Sequence, residues 1–312
     1  MNEKKIIAVV GATGSQGGGL VRAILADPDG GFAIRALTRD TTSPKAQELV
    51  KLGAEVVRAD NDDEASLVAA FTGAYGAYLV TNFWTHGSAV REQQEATNLA
   101  RAARTAGLRH VIWSTLEDTR DQIPVDDPRM PTLQGSYKVP HFDAKAEVDH
   151  LFPNATLLRT TAYWDNLAGI GWEPVRDTDG TLAFTLPLGD ARLAGIAAED
   201  IGKTAYGILK AGDAYIGRTV HIAGEHLTGE QMAAALSRAL GEPVAYRPLT
   251  HDAYRALGFP GADEVGNMFQ YYTEATDYFT GVRDIAEVRR LNPELQTFDQ
   301  WLAAHADAIP RH

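Results

Sequence analysis

The chain contains no cysteine. Disulfides, a thiolate nucleophile and cysteine-ligated metals are therefore excluded. Positive charge is also scarce: 29 Lys and Arg stand against 41 Asp and Glu, for a net formal charge of -12. Binding to a nucleic-acid backbone requires phosphate neutralisation by Lys and Arg, so no direct nucleic-acid partner is expected. A local basic patch can still serve a phosphorylated ligand. No stretch reaches membrane-spanning length without polar interruption, and no membrane partner is expected. The start, MNEKK, runs into a strand-like segment with no secretory h-region, which makes the cytoplasm the expected compartment. H-E-x-x-H spacing is absent, and His110, His221 and His226 form no convincing cluster with carboxylates, so no metal is expected. Neither a glycine turn closed by Gly-Lys-Ser/Thr nor a G-x-S-x-G elbow occurs.

What the chain does have is length and alternation. Its 312 residues, 45% of them hydrophobic, can build one large domain or a large domain with a smaller partner. Strand-like runs at 5–10, 32–38, 54–59, 75–81, 109–115 and 155–160 alternate with helical patterns at 18–26, 44–52, 63–72, 88–106 and 140–152. The absence of hairpin signals predicts a parallel sheet with helices on both faces. Residues 117–136 read as a surface loop, and 163–190 as a lobe outside the main sheet. Further helices are predicted at 198–211, 228–240, 250–257, 261–278 and 294–309, with a short strand at 218–222.

The first strand ends in Gly11-Ala12-Thr13-Gly14-Ser15-Gln16-Gly17, a G-x-x-G-x-x-G run. The first glycine permits a sharp turn, the second lets backbone approach phosphates, and the third lets the helix pack closely on the strand. Such a turn between strand and helix, within a β-α repeat, is the context that dinucleotide binding requires. The expected fold is therefore α/β: a Rossmann-type doubly wound parallel sheet with a smaller, mostly helical second lobe. Residues 1–160 form the nucleotide domain, its sheet completed by 190–222; 161–189 and 223–312 form the lobe. At the end of the second strand stands Arg39 rather than an acidic residue, followed by Asp40, Thr41, Thr42, Ser43, Pro44 and Lys45. Arginine can grip a 2′-phosphate with two hydrogen bonds, and Lys45 can add a donor, so NADP(H) is preferred and NAD(H) remains open. Asp60, with Asn61, either lies near adenine or caps a helix.

Ligands of such sheets sit beyond the carboxyl ends of the strands. Thr81, Asn82, Phe83 and Trp84 follow strand four, and Ser114 and Thr115 end strand five. Phe83 and Trp84 either line the nicotinamide side or pack the lobe. His141 and Lys145 are four apart and share a helix face. Reductases need a proton donor and a cation that anchors the ribose. Lys145 with Ser114 can supply part of that, and His141 can act as donor. Alternatively Lys145 makes a surface ion pair with Asp143, Glu147 or Asp149. Tyr163, Trp164 and Asn166 are the candidates from the second lobe to face a substrate.

VVGATGSQGGGLVRAIL at 9–25, ALTRD at 36–40, GAEVVRAD at 53–60, VTNFW at 80–84 and PHFDAKAEVDHLF at 140–152 together resemble the NmrA-like family. This is a branch of the atypical short-chain dehydrogenase/reductase superfamily, and the chain is especially similar to its redox-sensor members. The resemblance implies that Gly11, Gly14 and Gly17 form the phosphate loop, lined by Thr13, Ser15 and Gln16. It implies an NADP-associated role for Arg39, a place near adenine for Asp60, and one over the cofactor for Thr81 to Phe83. Lys145 matches the lysine of the superfamily Y-x-x-x-K pair, and His141 stands where that pair has tyrosine. The family includes regulators with little or no turnover as well as reductases. The first expectation is thus an NADP(H) redox or cofactor-ratio sensor with a regulatory protein partner. The alternative is an NAD(P)H-dependent reductase of a quinone or carbonyl compound, and a third reading is a scaffold with structural nucleotide. A monomer or homodimer is expected.

Overall fold

Ile7 and Val9 point to one face of the first strand, Ala8 and Val10 to the other, and all four are buried. A strand covered on both faces belongs inside a parallel sheet. In the computed structural model, which describes residues 4–311, β1 (Lys5–Val9) occupies that position. It is followed by α1 (Ser15–Leu25), β2 (Phe32–Thr38), α2 (Pro44–Lys51), β3 (Glu55–Arg58), α3 (Glu64–Phe71) and β4 (Gly76–Leu79). Next come α4 (Ala89–Thr105), β5 (His110–Thr115), α5 (Pro140–Val148) and β6 (Thr156–Arg159). The chain then leaves the sheet through β7 (Ala162–Tyr163), β8 (Val175–Arg176), β9 (Leu182–Phe184) and β10 (Arg192–Ile196), and returns with α6 (Ala198–Ala211) and β11 (Thr219–His221). The seven parallel strands lie in the order β3-β2-β1-β4-β5-β6-β11. The order reverses between β1 and β4, which opens a crevice at their carboxyl ends.

Leu20 and Val21 of α1 and Ile201 and Ile208 of α6 cover one face of the sheet; Leu67, Phe71, Ala96 and Leu99 cover the other. The two helices on the first face touch backbone to backbone. A Cβ added at Gly19 would lie 2.6 Å from the Glu199 carbonyl oxygen. Gly19→Val is expected to destabilise the protein by about 1–3 kcal/mol through overpacking, read as a lower urea midpoint. An unchanged midpoint would show that the helices separate at no cost.

The remaining elements are β12 (Glu225–Thr228), α7 (Gly229–Leu240), β13 (Val244–Tyr246), α8 (His251–Arg255), α9 (Ala262–Glu274), α10 (Thr276–Gly281), α11 (Ile285–Leu291) and α12 (Phe298–His305). Most of them build the second lobe, whose core gathers Phe184, Phe269, Tyr271, Phe298 and Trp301. The lobe also holds two three-stranded sheets, β12-β10-β7 and β13-β9-β8. These short strands carry too few residues for a period-2 pattern to show. The helix expected at 261–278 is broken at Ala275, whose φ of -101° and ψ of 19° leave the helical region. Among the described residues no helix is long and apolar enough to cross a membrane.

Candidate functional site

A cleft of about 940 Å³ runs along the carboxyl edge of the sheet and under the second lobe. Gly11, Thr13, Gly14, Ser15, Gln16 and Gly17 line one end. Gly11 has φ +65°, a conformation that favours glycine, and a Cβ on Gly17 would meet the Gly11 carbonyl oxygen at 2.5 Å. The turn therefore depends on both. The first residues of α1 have no intrahelical acceptor for their N–H groups. No side chain caps them and the first turn holds no acidic residue. By contrast α2, α3 and α4 are each capped by a side chain. Free N–H groups at the positive end of a helix suit a phosphate, so these residues fit a dinucleotide pyrophosphate.

Arg39 lines the cleft, is exposed, and makes no ion pair among the described residues. Neighbouring Asp40 does not neutralise it. The Asp40 Oδ1 accepts from the Thr42 hydroxyl at 2.6 Å and the Thr42 N–H at 2.8 Å, and these bonds hold its carboxyl below the usual range. Asp60 and Asn61 also line the cleft. The helix cap is Asp63, not Asp60, whose Oδ1 instead accepts the Asp62 N–H at 3.2 Å. Asn61 donates to Glu95 at 3.3 Å. Burial pushes the Glu95 carboxyl up. Lys45 does not line the cleft; it lies exposed in the first turn of α2. A second cation, Arg91, does line it and pairs with Asp62 at 2.8 Å. Nothing in local spacing singles Arg91 out, because it enters from α4.

Thr81, Asn82, Phe83 and Lys145 come together at the middle of the cleft. The Lys145 Nζ lies 2.6 Å from the Thr81 hydroxyl, 2.9 Å from Glu92 Oε1, and above the Trp113 ring. Glu92 is wholly buried and receives the Thr81 hydroxyl as well. The ion pair of Lys145 is thus internal. The three carboxylates considered from sequence are engaged elsewhere: Asp143 by Thr119, Glu147 by Arg120, Asp149 by Thr115. Sequence reasoning missed Glu92; helical periodicity marks it only as one polar residue among several on α4. Asn82 accepts the Trp84 N–H at 3.2 Å, which sets the turn that carries Phe83 and Trp84 over the cleft.

Ser114 also lines the cleft, but its hydroxyl donates to Gln16 Oε1 at 2.7 Å. The same oxygen accepts from Tyr78, and the Gln16 amide donates to the Tyr163 hydroxyl. Burial pushes the phenols of Tyr78 and Tyr163 up, so both stay neutral near pH 7. Ser114 is therefore joined to the glycine turn rather than to Lys145. Beyond it the cleft becomes apolar: Trp84, Ile170, Trp172, Phe259 and Met268 line it, with His141 and Asn166 as polar groups among them. His141 packs against Trp84 with ring centroids 5.0 Å apart. Its Nδ1 lies 2.5 Å from Glu264 Oε1. Trp164 is absent from this wall. It is buried in the second-lobe core, tilted against Phe298. Side chains alternate along a strand exit, so Tyr163 facing the cleft sends Trp164 the other way.

The chain is 28% identical over 289 residues to an NmrA-like family domain-containing oxidoreductase, FrzB, of Cladobotryum sp., covering 85% of this chain and 83% of that protein. The solved structure of the negative transcriptional regulator Nmra in complex with NAD superposes with a TM-score of 0.78 at 23% identity, covering 97% of this chain and 95% of that one. An NADPH-dependent quinone oxidoreductase of Escherichia coli complexed with NADPH superposes with a TM-score of 0.70 at 23% identity, covering 96% and 98%. At such identities the two structures speak to the fold. The sequence model of the NmrA-like family matches residues 3–302, and the chain belongs to that family.

Proposed function

We propose that this chain is an NAD(P)H-dependent oxidoreductase that reduces a small uncharged quinone or carbonyl compound, with NADP(H) as the preferred cofactor. The observation that carries this reading is the two-part cleft, in which a turn suited to phosphate and an exposed Arg39, without an ion pair among the described residues, lead into an apolar chamber holding His141. The curated relatives named as oxidoreductases support it, as does the quinone oxidoreductase among the structural neighbours. Bound nicotinamide dinucleotide supplies a hydride. The chain's own part is to hold the cofactor, exclude water with Trp84 and Phe259, and deliver one proton to the substrate oxygen. Hydride plus proton convert a carbonyl to an alcohol, or a quinone to its hydroquinone, and leave NAD(P)+. His141 is the proton donor in this reading, and Lys145 with Thr81 faces the ribose.

A redox sensor with a protein partner is the second reading. It is favoured by Lys145 and Ser114 being engaged by Glu92 and Gln16, and the NAD-bound neighbour is a transcriptional regulator. Titration with NADP+, NADPH, NAD+ and NADH, followed by a quinone and aldehyde screen, separates the two. Substrate-dependent NADPH oxidation is expected; tight binding without it would favour the sensor. Arg39→Ala is expected to weaken NADP+ binding roughly tenfold to a hundredfold, the range of a lost charge-assisted hydrogen bond, while NAD+ binding stays unchanged. Equal wild-type affinity for NAD+ and NADP+ would sink the assignment of Arg39 to the 2′-phosphate.

A further inference from the structure

The first turn of α5 has no cap of its own: Val139 precedes it without a side-chain bond, and Pro140 opens it. The acceptor comes from the other lobe. Glu264, in the first turn of α9, accepts the backbone N–H of His141 at 2.7 Å with the same Oε1 that faces the His141 Nδ1. Both residues are buried, at 7% and 6% exposure. The backbone contact anchors the Glu264 oxygen, and the Nδ1 contact sets the rotation of the ring against it. A carboxylate only accepts, so Nδ1 must carry the hydrogen. The other nitrogen, Nε2, has no partner among the described residues, in a ring that lines the cleft beside Trp84.

We propose that Glu264 is the positioning residue of His141: it holds the Nδ1–H form and leaves Nε2 to carry and release the proton in the apolar chamber. This rests on the reductase reading. As the substrate oxygen gains charge, the imidazolium gives up its Nε2 proton and remains as the neutral Nδ1–H ring. The Glu264 carboxylate faces Nδ1 throughout the transfer and selects that form afterwards, as a carboxylate does for a catalytic histidine. Solvent at the cleft mouth returns the proton. Because Glu264 comes from α9, the donor is assembled only when the second lobe is docked on α5.

The test uses the full chain labelled with ¹⁵N-histidine at about pH 8, with the His141 signals identified by loss in His141→Gln. Two-bond ¹H–¹⁵N correlations are expected to show the Nδ1–H form in the wild type and mainly the Nε2–H form in Glu264→Ala. A wild-type ring in the Nε2–H form, or a ring unaltered by Glu264→Ala, overturns the proposal. Glu264→Gln keeps an acceptor for both N–H groups and removes only the charge, so it serves if the alanine variant does not fold. With NADPH and 2-methyl-1,4-naphthoquinone, its kcat is expected to fall about tenfold or more, with KM and melting temperature near wild type. An unchanged kcat overturns the proposal. A wild-type chain with the Nδ1–H ring that oxidises NADPH with no quinone or aldehyde discards the reductase reading alone, and the positioning by Glu264 stands.

Discussion

Arg283→Ala is expected to remove about 3–5 kcal/mol of folding stability, the usual cost of leaving a buried ion without its partner. The guanidinium and the Glu117 carboxylate are 0% and 2% exposed and 2.8 Å apart. Arg283 also donates to the carbonyls of Thr160 at 2.7 Å and Phe279 at 2.8 Å, and lies over the Phe279 ring. Glu117 follows β5 and Thr160 follows β6, whereas Phe279 belongs to α10. One side chain thus ties the carboxyl edge of the sheet to the second lobe. The nearest substitute is His221, whose Nε2 lies 3.8 Å from Glu117. Burial, with Arg283 and Arg159 nearby, pushes that imidazole down to about 3, so it is neutral at pH 7. Removing Arg283 removes one of the charges that keep it neutral. The deficit is therefore expected to shrink as pH falls from about 7.5 to 5, where a protonated His221 can face Glu117. Urea unfolding at both pH values measures this. Arg283→Met with Glu117→Leu is expected to recover most of the loss, because an apolar pair of similar volume is close to neutral. A single-variant loss below about 1 kcal/mol would mean that the pair behaves as a solvated one.

The nucleotide half of the fold was legible because its signals are local. The run at 5–10 followed by Gly11, Gly14 and Gly17 carries strand, turn and helix start within about a dozen positions. The same holds for Arg39, which needs only the end of β2 to be placed. Alternation of strand and helix predicts the parallel sheet, whereas the order of its seven strands is set by tertiary packing. The part of the cleft around His141 and Lys145 was legible only by half. His141 and Lys145 show their shared helix face in their spacing, but their partners do not. Glu92 reaches Lys145 from α4, and Glu264 reaches His141 across 123 residues of chain. Such pairings are made by tertiary packing, and no period or motif announces them. Trp164 failed for a related reason: an aromatic beside Tyr163 looks equally suited to cleft or core until the strand exit fixes which way each points. Ser114 lines the cleft, yet its hydroxyl is turned to Gln16, a bond from β5 to α1 between residues 98 positions apart in sequence.

Lys145→Met is expected to cost about as much stability as the loss of Arg283, on the order of 3–5 kcal/mol, before any effect on chemistry is counted. Glu92 would remain 0% exposed with its cation gone. Its Oε1 would keep only the Thr81 hydroxyl, and its Oε2 has no hydrogen-bond partner, with His86 Nε2 at 3.5 Å. A lysine assigned to the ribose is therefore also the counter-ion of a buried acid. Loss of turnover in Lys145→Met alone does not separate these roles. The double variant Lys145→Met/Glu92→Gln does, because it removes both charges and keeps an acceptor for Thr81. Its melting temperature is expected to return most of the way to wild type. NADPH affinity and quinone turnover are expected to stay low, since no cation then faces the ribose. Fluorescence titration and thermal unfolding on the three proteins give both readings. Should turnover return together with stability, the work of Lys145 is to neutralise Glu92, and the ribose role is refuted. Should stability return without binding, Lys145 meets the cofactor directly, and Glu92 serves to hold its ammonium beside Thr81 in the middle of the cleft.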